Sequence, residues 1–159
     1  MSYKEKIAIF PGSFDPITIG HKSIINRACL LFDIVIVAVG TNSSKTNMFS
    51  LEQRKKWITN TFKDKPNIKI AAYYGLTVDF CKTVNANYII RGLRSSQDLD
   101  YEQGIGLMNK ALNNKIETIF FLSEPEHSMI SSTIIRDIIK NKGSVEQFLP
   151  SSVNFDNLI

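Results

Sequence analysis

The sequence predicts an α/β fold, a parallel sheet of five strands with helices on both faces. Apolar, β-rich runs recur at 7–10, 34–39, 68–73, 88–90 and 118–122, with helical patterns between them. That alternation is how crossover helices join parallel strands. The polar and glycine-containing motifs fall just after these runs or on the helix that follows. In an open sheet of this kind, ligands bind beyond the carboxyl ends of the strands, where the strand order reverses. A chain of 159 residues is expected to make one domain, 1–159, with a sizeable core.

The first run, Ile7 to Phe10, is unbroken, as expected of a strand buried on both faces, and Pro11-Gly12 is expected to end it. Gly12 lacks a Cβ and would let a ligand approach the backbone; Ser13 adds a hydroxyl and Asp15-Pro16 a turn. Gly20-His21 then opens a helix with Ile24, Ile25, Ala28, Leu31 and Phe32 on its apolar face. A strand, a tight loop and a helix joined in this way offer backbone amides to phosphate.

After the second strand, the polar loop Gly40–Asn47 holds Lys45, which reads either as a solvated loop lysine or as a mobile phosphate clamp. Ser50 and Gln53 read as a capping box for a helix at 51–62. The third strand runs into Leu76-Thr77, a turn whose amides can face a ligand, and Leu76, Phe80, Cys81 and Val84 form a stripe read as core.

The fourth strand delivers Arg91-Gly92-Leu93-Arg94 just past its apolar end. Guanidinium groups suit bidentate phosphate binding, but Asp98, Asp100 and Glu102 lie close enough in sequence for one arginine to be a structural ion-pair partner. On the next helix Tyr101, Ile105, Met108 and Leu112 read as the buried stripe, with Glu102 and Asn109 on a different face. Gly104 and Gly106 interrupt it and are read as permitting close packing, with another subunit as one partner. After the fifth strand, Ser131, Ser132 and Thr133 precede Ile134, Ile135, Ile138 and Ile139, and read as an N-cap that can also receive phosphate. Gly143 is expected to stop this helix, and Phe155 and Leu158 to dock the tail as a last helix.

Hydrophobic and charged contents of 43% and 21% are those of an ordinary globular protein. The net charge of +4 is small and spread along the chain, which argues against a dedicated nucleic-acid binder. Cys29 and Cys81 have no metal-ligand or CxxC spacing and read as buried free thiols, consistent with a reducing cytoplasm. The apolar runs are too short for a signal peptide or a membrane span. There is no GxSxG elbow, no GxxxxGK[ST] loop and no GxGxxG fingerprint. Several cations around one imidazole suit phosphoryl-type transfer by positioning and charge neutralisation, without a covalent enzyme intermediate.

The segments GSFDPITIGH, SKTNMF, IIRGLR, DLDYE and ISSTIIRD, in this order and at these spacings, resemble the phosphopantetheine adenylyltransferase family, bacterial type, of the nucleotidyltransferase superfamily. The resemblance covers almost the whole chain, and the IIRGLR-to-YE and ISST blocks are its most specific parts. It implies a Rossmann-like fold, a homohexamer, Mg²⁺, and transfer of AMP from ATP to 4′-phosphopantetheine, giving dephospho-CoA and pyrophosphate. By the same resemblance, His21, Lys45 and Arg91 are catalytic; Ser13 touches both substrates; and Phe14, His21, Gly92, Leu93, Arg94 and Glu102 bind ATP. His127, Ser128, Met129, Ile130, Ser131, Ser132 and Thr133 form a second ATP loop, while Ser13, Lys45, Thr77 and Arg91 hold phosphopantetheine. Thr18 stands for the first histidine of an HxGH element, a replacement that the family accepts. His127 falls where related sequences often carry tryptophan or tyrosine, so it reads either as an ATP contact or as a surface histidine. Nucleotidyltransferases acting on nicotinate mononucleotide or glycerol phosphate share the HxGH element but not the IIRGLR block. A nucleotide-binding regulator without chemistry would not need both His21 and Lys45.

Overall fold

A computed structural model describes residues 4–41 and 46–155. Five strands, β1 (Ile7–Gly12), β2 (Ile34–Gly40), β3 (Ile68–Tyr73), β4 (Tyr88–Leu93) and β5 (Glu117–Leu122), alternate with helices α1 (Ile19–Ala28), α2 (Leu51–Thr61), α3 (Thr77–Thr83), α4 (Ser96–Leu112) and α5 (Ser132–Lys140). The strands pair in parallel in the order β3-β2-β1-β4-β5. The expected α/β architecture is present, and the order reverses between β1 and β4, the switch point where a ligand crevice is expected.

Alternate residues along each strand feed two cores. Ala8, Phe10, Val35, Val37 and Val39 join Ile24, Ile25, Trp57, Ile58 and Ile135 on one face. Ile9, Ile36, Ala38 and Ile89 meet Val78, Cys81 and Ile116 on the other.

The first strand is longer than the apolar run, because Pro11 and Gly12 still pair with Ala38 and Val39 of β2. On its other side β1 pairs with β4 only at Ala8 and Ile9. Beyond Ile9 the two strands part, and Pro11 O accepts from Arg91 Nη1 on that side. The N–H that proline lacks would face the same gap, so the ladder loses nothing. The fourth strand likewise runs through Arg91, Gly92 and Leu93, which puts Arg91 inside the strand facing this gap instead of past its end.

Several expected faces are corrected. Leu31 lies beyond α1 and is 58% exposed, and Leu76 precedes α3 and is 56% exposed. On α4, Tyr101, Met108 and Leu112 are exposed, while Glu102 is the buried residue. The inward face has turned to the Glu102 side for two reasons. Arg91 draws the Glu102 carboxylate into an ion pair. Gly106 lets the helix lie close on β5, so that a Cβ there would stand 3.4 Å from Thr118. The Gly106 contact is therefore internal to the chain. A Cβ at Gly104 would meet no atom within 4 Å.

Ser50 caps α2 by accepting from Gln53 N at 3.2 Å. Ile134 on α5 is 53% exposed, whereas Ile135 and Ile139 are buried. Lys142 (φ 59°) takes the left-handed turn that ends α5, and Gly143 N then closes it onto Ile138 O. Phe155 docks without a helix, stacked on Phe49 at 5.4 Å and edge-on to Trp57. Leu158, like Lys45, lies outside the described residues. Both cysteines are free, Cys81 buried and Cys29 half-buried, and burial pushes the Cys81 thiol up to about 11. Among the described residues, no helix is long and apolar enough to cross a membrane.

Candidate active site

The parting of β1 from β4 opens a cleft of about 810 Å³, within the range of small-molecule sites. Its floor is the turn after β1. Gly12 is required there because Phe14 folds back over it; a Cβ would stand 3.0 Å from Phe14 Cζ. The glycine therefore serves the protein's own ring more directly than a ligand. Phe14 adopts φ 46°, is 2% exposed, and sets its ring edge-on to Phe10 (5.7 Å) and His21 (5.2 Å). Gly12→Ala is expected to push this ring toward His21, lowering stability by roughly 1–3 kcal/mol and turnover with it. Urea denaturation and a rate measurement on the same variant check both effects.

His21 is the third residue of α1. Thr18 caps that helix, its hydroxyl accepting from His21 N at 3.2 Å, while Thr18 N donates to His21 Nδ1 at 3.1 Å. This reciprocal box gives Thr18 a structural role in place of the motif's first histidine. An Nδ1 that accepts leaves the ring proton of neutral His21 on Nε2. Burial, then Arg94, then Arg91 depress the His21 pKa to about 4. His21 is therefore a neutral imidazole at physiological pH, able to donate from Nε2.

Arg91 forks onto Glu102, with Nε 2.6 Å from Oε2 and Nη2 on Oε1, and its Nη1 donates to Pro11 O. Arg94 forks onto Asp98 at 3.0 and 3.1 Å, and its hydrogen bonds hold the Asp98 carboxyl below the usual range. The sequence left room for one structural ion pair, and the structure makes two. Each arginine is held in one orientation with part of its fork still available, and both line the cleft.

The far wall is the start of α5. Ser131 accepts from Ile134 N, Ser132 Oγ donates to Pro16 O at 2.8 Å, and Thr133 Oγ1 accepts from Arg136 Nη2. The hydroxyls thus cap and fasten the helix. The amides of Ser132 and Thr133, which have no acceptor within the helix, lie at the cleft wall and suit phosphate.

Ser13, Phe14, His21, Arg91, Gly92, Arg94, Glu102, His127, Ile130, Ser131, Ser132 and Thr133 all line this one cleft. Among the described residues, four expected ones do not. Leu93 is core, Met129 is 84% exposed, and Ser128 donates to Pro125 O. Thr77 borders a separate hollow of about 390 Å³ with Gly40, Thr41 and Tyr73, its hydroxyl 2.9 Å from Tyr73 Oη. His127 is a wall residue rather than a surface histidine. Its Nδ1 lies 3.2 Å from Glu124 Oε2, without the alignment of a hydrogen bond.

Three residues escaped the sequence reading. Asp15, taken only as part of a turn, is 2% exposed and accepts from the amides of Met48 and Phe49. Arg54, also 2% exposed, donates to Phe49 O and Ser13 O. Arg136 donates to Asp15 O at 2.7 Å. The available signal was Arg54 sharing a helical face with Trp57 and Ile58, a place where a charge must be paired.

Comparison with known proteins agrees with this geometry. The cytidylyltransferase-like family model matches residues 9–138, from β1 into α5. A phosphopantetheine adenylyltransferase of Flavobacterium psychrophilum is 50% identical over 92% of this chain and 96% of its own length. The chain belongs to the phosphopantetheine adenylyltransferase family. Another member, from Lachnoclostridium phytofermentans, is 43% identical over 93% of this chain and 91% of its own. The fold reaches beyond the family. A bifunctional NMN adenylyltransferase/ADP ribose pyrophosphatase from Francisella tularensis superposes on 96% of this chain and 47% of its own, with a TM-score of 0.74 at 18% identity. That likeness is one of fold alone.

Proposed function

We propose that this chain transfers the AMP moiety of ATP reversibly to 4′-phosphopantetheine, giving dephospho-CoA and pyrophosphate, the penultimate step of coenzyme A biosynthesis. The observation that carries the reading is 50% identity to a named member over nearly the whole of both chains. The cleft adds chemical support, because a neutral imidazole and two pre-oriented guanidinium groups converge at the switch point. Purified protein given ATP, Mg²⁺ and 4′-phosphopantetheine should form dephospho-CoA, detected by mass. Turnover of nicotinate mononucleotide in its place would overturn the reading.

In this mechanism the phosphate of phosphopantetheine attacks the α-phosphorus of ATP in line, and pyrophosphate leaves from the opposite side. His21 donates Nε2–H to the α-phosphate oxygen on which charge grows. Arg91 and Lys45 hold the phosphopantetheine phosphate. Arg94, Gly92, Glu102 and the 127–133 segment border the nucleotide, Leu93, Ser128 and Met129 being the members of these stretches that do not line the cleft. Thr77 meets the pantetheine arm.

Among the described cleft residues, Asp15, Asp98 and Glu102 are the carboxylates, and each is already engaged by amides or an arginine. Those three carboxylates do not fit a resident metal, and the one donor cluster among the described residues, Glu124, Glu126 and His127, meets the cleft only through His127. Mg²⁺ belongs in this reading with the triphosphate of ATP as it enters.

A homohexamer of single-domain subunits in the cytoplasm completes the proposal. Its physical support is the exposed apolar face of α4, with Tyr101, Leu107, Met108 and Leu112 each more than half exposed. Gly106 lies outside that face, against Thr118 and Phe120 of β5. Light scattering should give six times the mass of the chain. A monomer mass independent of concentration would remove the hexamer and leave the chemistry standing.

A further inference from the structure

The mechanism described so far does not use Asp15, a buried carboxylate in the cleft wall. Both of its oxygens are taken by backbone amides from another loop: Met48 N to Oδ2 at 2.8 Å and Phe49 N to Oδ1 at 2.9 Å. Arg54 makes a second tie between the same two segments, donating to Ser13 O at 2.6 Å and to Phe49 O at 3.1 Å. The backbone of residues 15–16 is meanwhile fastened to α5, with Arg136 Nη1 on Asp15 O and Ser132 Oγ on Pro16 O. The main chain of Asp15 thus belongs to the nucleotide side of the cleft, and its side chain reaches across to the segment after β2. In that segment Thr46 and Asn47 line the cleft, and Lys45 directly precedes them in sequence.

We infer that Asp15 is a positioning residue for phosphopantetheine: its carboxylate sets residues 46–49 against Ser13 and His21 so that the acceptor phosphate meets the α-phosphorus. This rests on the proposed reaction. The chemistry of the contact makes the assignment specific. A carboxylate presents two acceptor oxygens to two successive N–H groups, whereas an amide presents one acceptor and one donor. Asp15→Asn therefore keeps the volume but turns an NH₂ against an N–H. The 46–49 segment loses its register and the 3.9 Å ion pair of Oδ2 with Arg136 Nη1 is weakened, while the hydrogen bonds from α5, made to the backbone carbonyls of Asp15 and Pro16, are kept.

The expected result for Asp15→Asn in the full chain is a KM for phosphopantetheine raised roughly tenfold, the effect of losing one charge-assisted hydrogen bond, with the KM for ATP within twofold of wild type. A variant that only loosens the fold would lower its melting temperature while leaving both KM values alone, or raise both together; either outcome overturns the proposal. Amide hydrogen exchange on the wild type gives a second test that does not depend on the variant folding. The Met48 and Phe49 amides should exchange slowly, and exchange at the rate of a free loop would defeat the assignment. If the wild type makes no dephospho-CoA, the reaction assignment fails, while the exchange experiment still reports on the Asp15 tie.

Discussion

His21→Ala is expected to lower turnover roughly 100-fold or more, the scale of losing one donor to a developing oxyanion, while ATP binding weakens far less. The argument starts from the N-cap of α1. Thr18 N–H occupies Nδ1, so neutral His21 has its proton on Nε2. Burial and the two arginines hold the ring neutral down to about pH 4. The pH dependence follows with a definite sign. Apart from the limb of the attacking phosphate monoester, whose second pKa is about 6 and which wild type and variant share, kcat should stay flat as pH falls through 6.5, because the lowered pKa keeps His21 neutral where an ordinary histidine would charge. It should decline only as pH nears about 4, when protonation of Nδ1 would break the bond from Thr18 N. Steady-state kinetics from pH 8 to about 4.5, on wild type and variant, check both statements. A wild-type limb near 6.5 that the variant lacks, or a variant with near-normal turnover, would show that the role of His21 is misassigned.

Arg91→Ala should have the largest combined effect, on stability as well as on rate. Arg91 sits within β4 and pairs with Glu102, a residue only 8% exposed. Removing the guanidinium leaves a buried carboxylate without its partner, a loss of about 3 kcal/mol. It also removes one of the cations proposed to hold phosphopantetheine. Adding Glu102→Gln should return part of the stability, since the orphaned charge is then gone, and return none of the turnover. Denaturant melts of the two single variants and the double variant give the stability comparison. Arg91→Lys keeps the charge without the fork and should raise the KM for phosphopantetheine; Arg94→Lys should act on the KM for ATP. Equal losses for both substrates in both variants would refute this division.

The sheet was legible because buried parallel strands are continuous apolar runs, and those runs stand clear of their surroundings in this chain. What periodicity missed has physical reasons. Pro11 looked like a stop, yet β1 and β4 part where its missing donor would lie. The face of α4 was misread because its inward side holds a glutamate and a glycine, Glu102 and Gly106. A hydrophobicity pattern gives no weight to an ion pair or to a missing side chain. In the site, the cleft gathers most of the residues named from motifs, since each motif follows a strand. The ties that hold those motifs together were not legible. Asp15 to Met48 and Phe49 spans 33 and 34 positions, and Arg136 to Asp15 spans 121. Single-sequence spacing carries no record of such pairings.

Direct in-line transfer of AMP at the α-phosphorus is the central claim, and stereochemistry at that atom tests it most directly. ATP carrying one sulfur on the α-phosphorus, of known configuration, would be converted with 4′-phosphopantetheine and the configuration of the dephospho-CoA analogue determined. A single displacement predicts inversion. Retention would require a covalent adenylyl-enzyme and contradict the account.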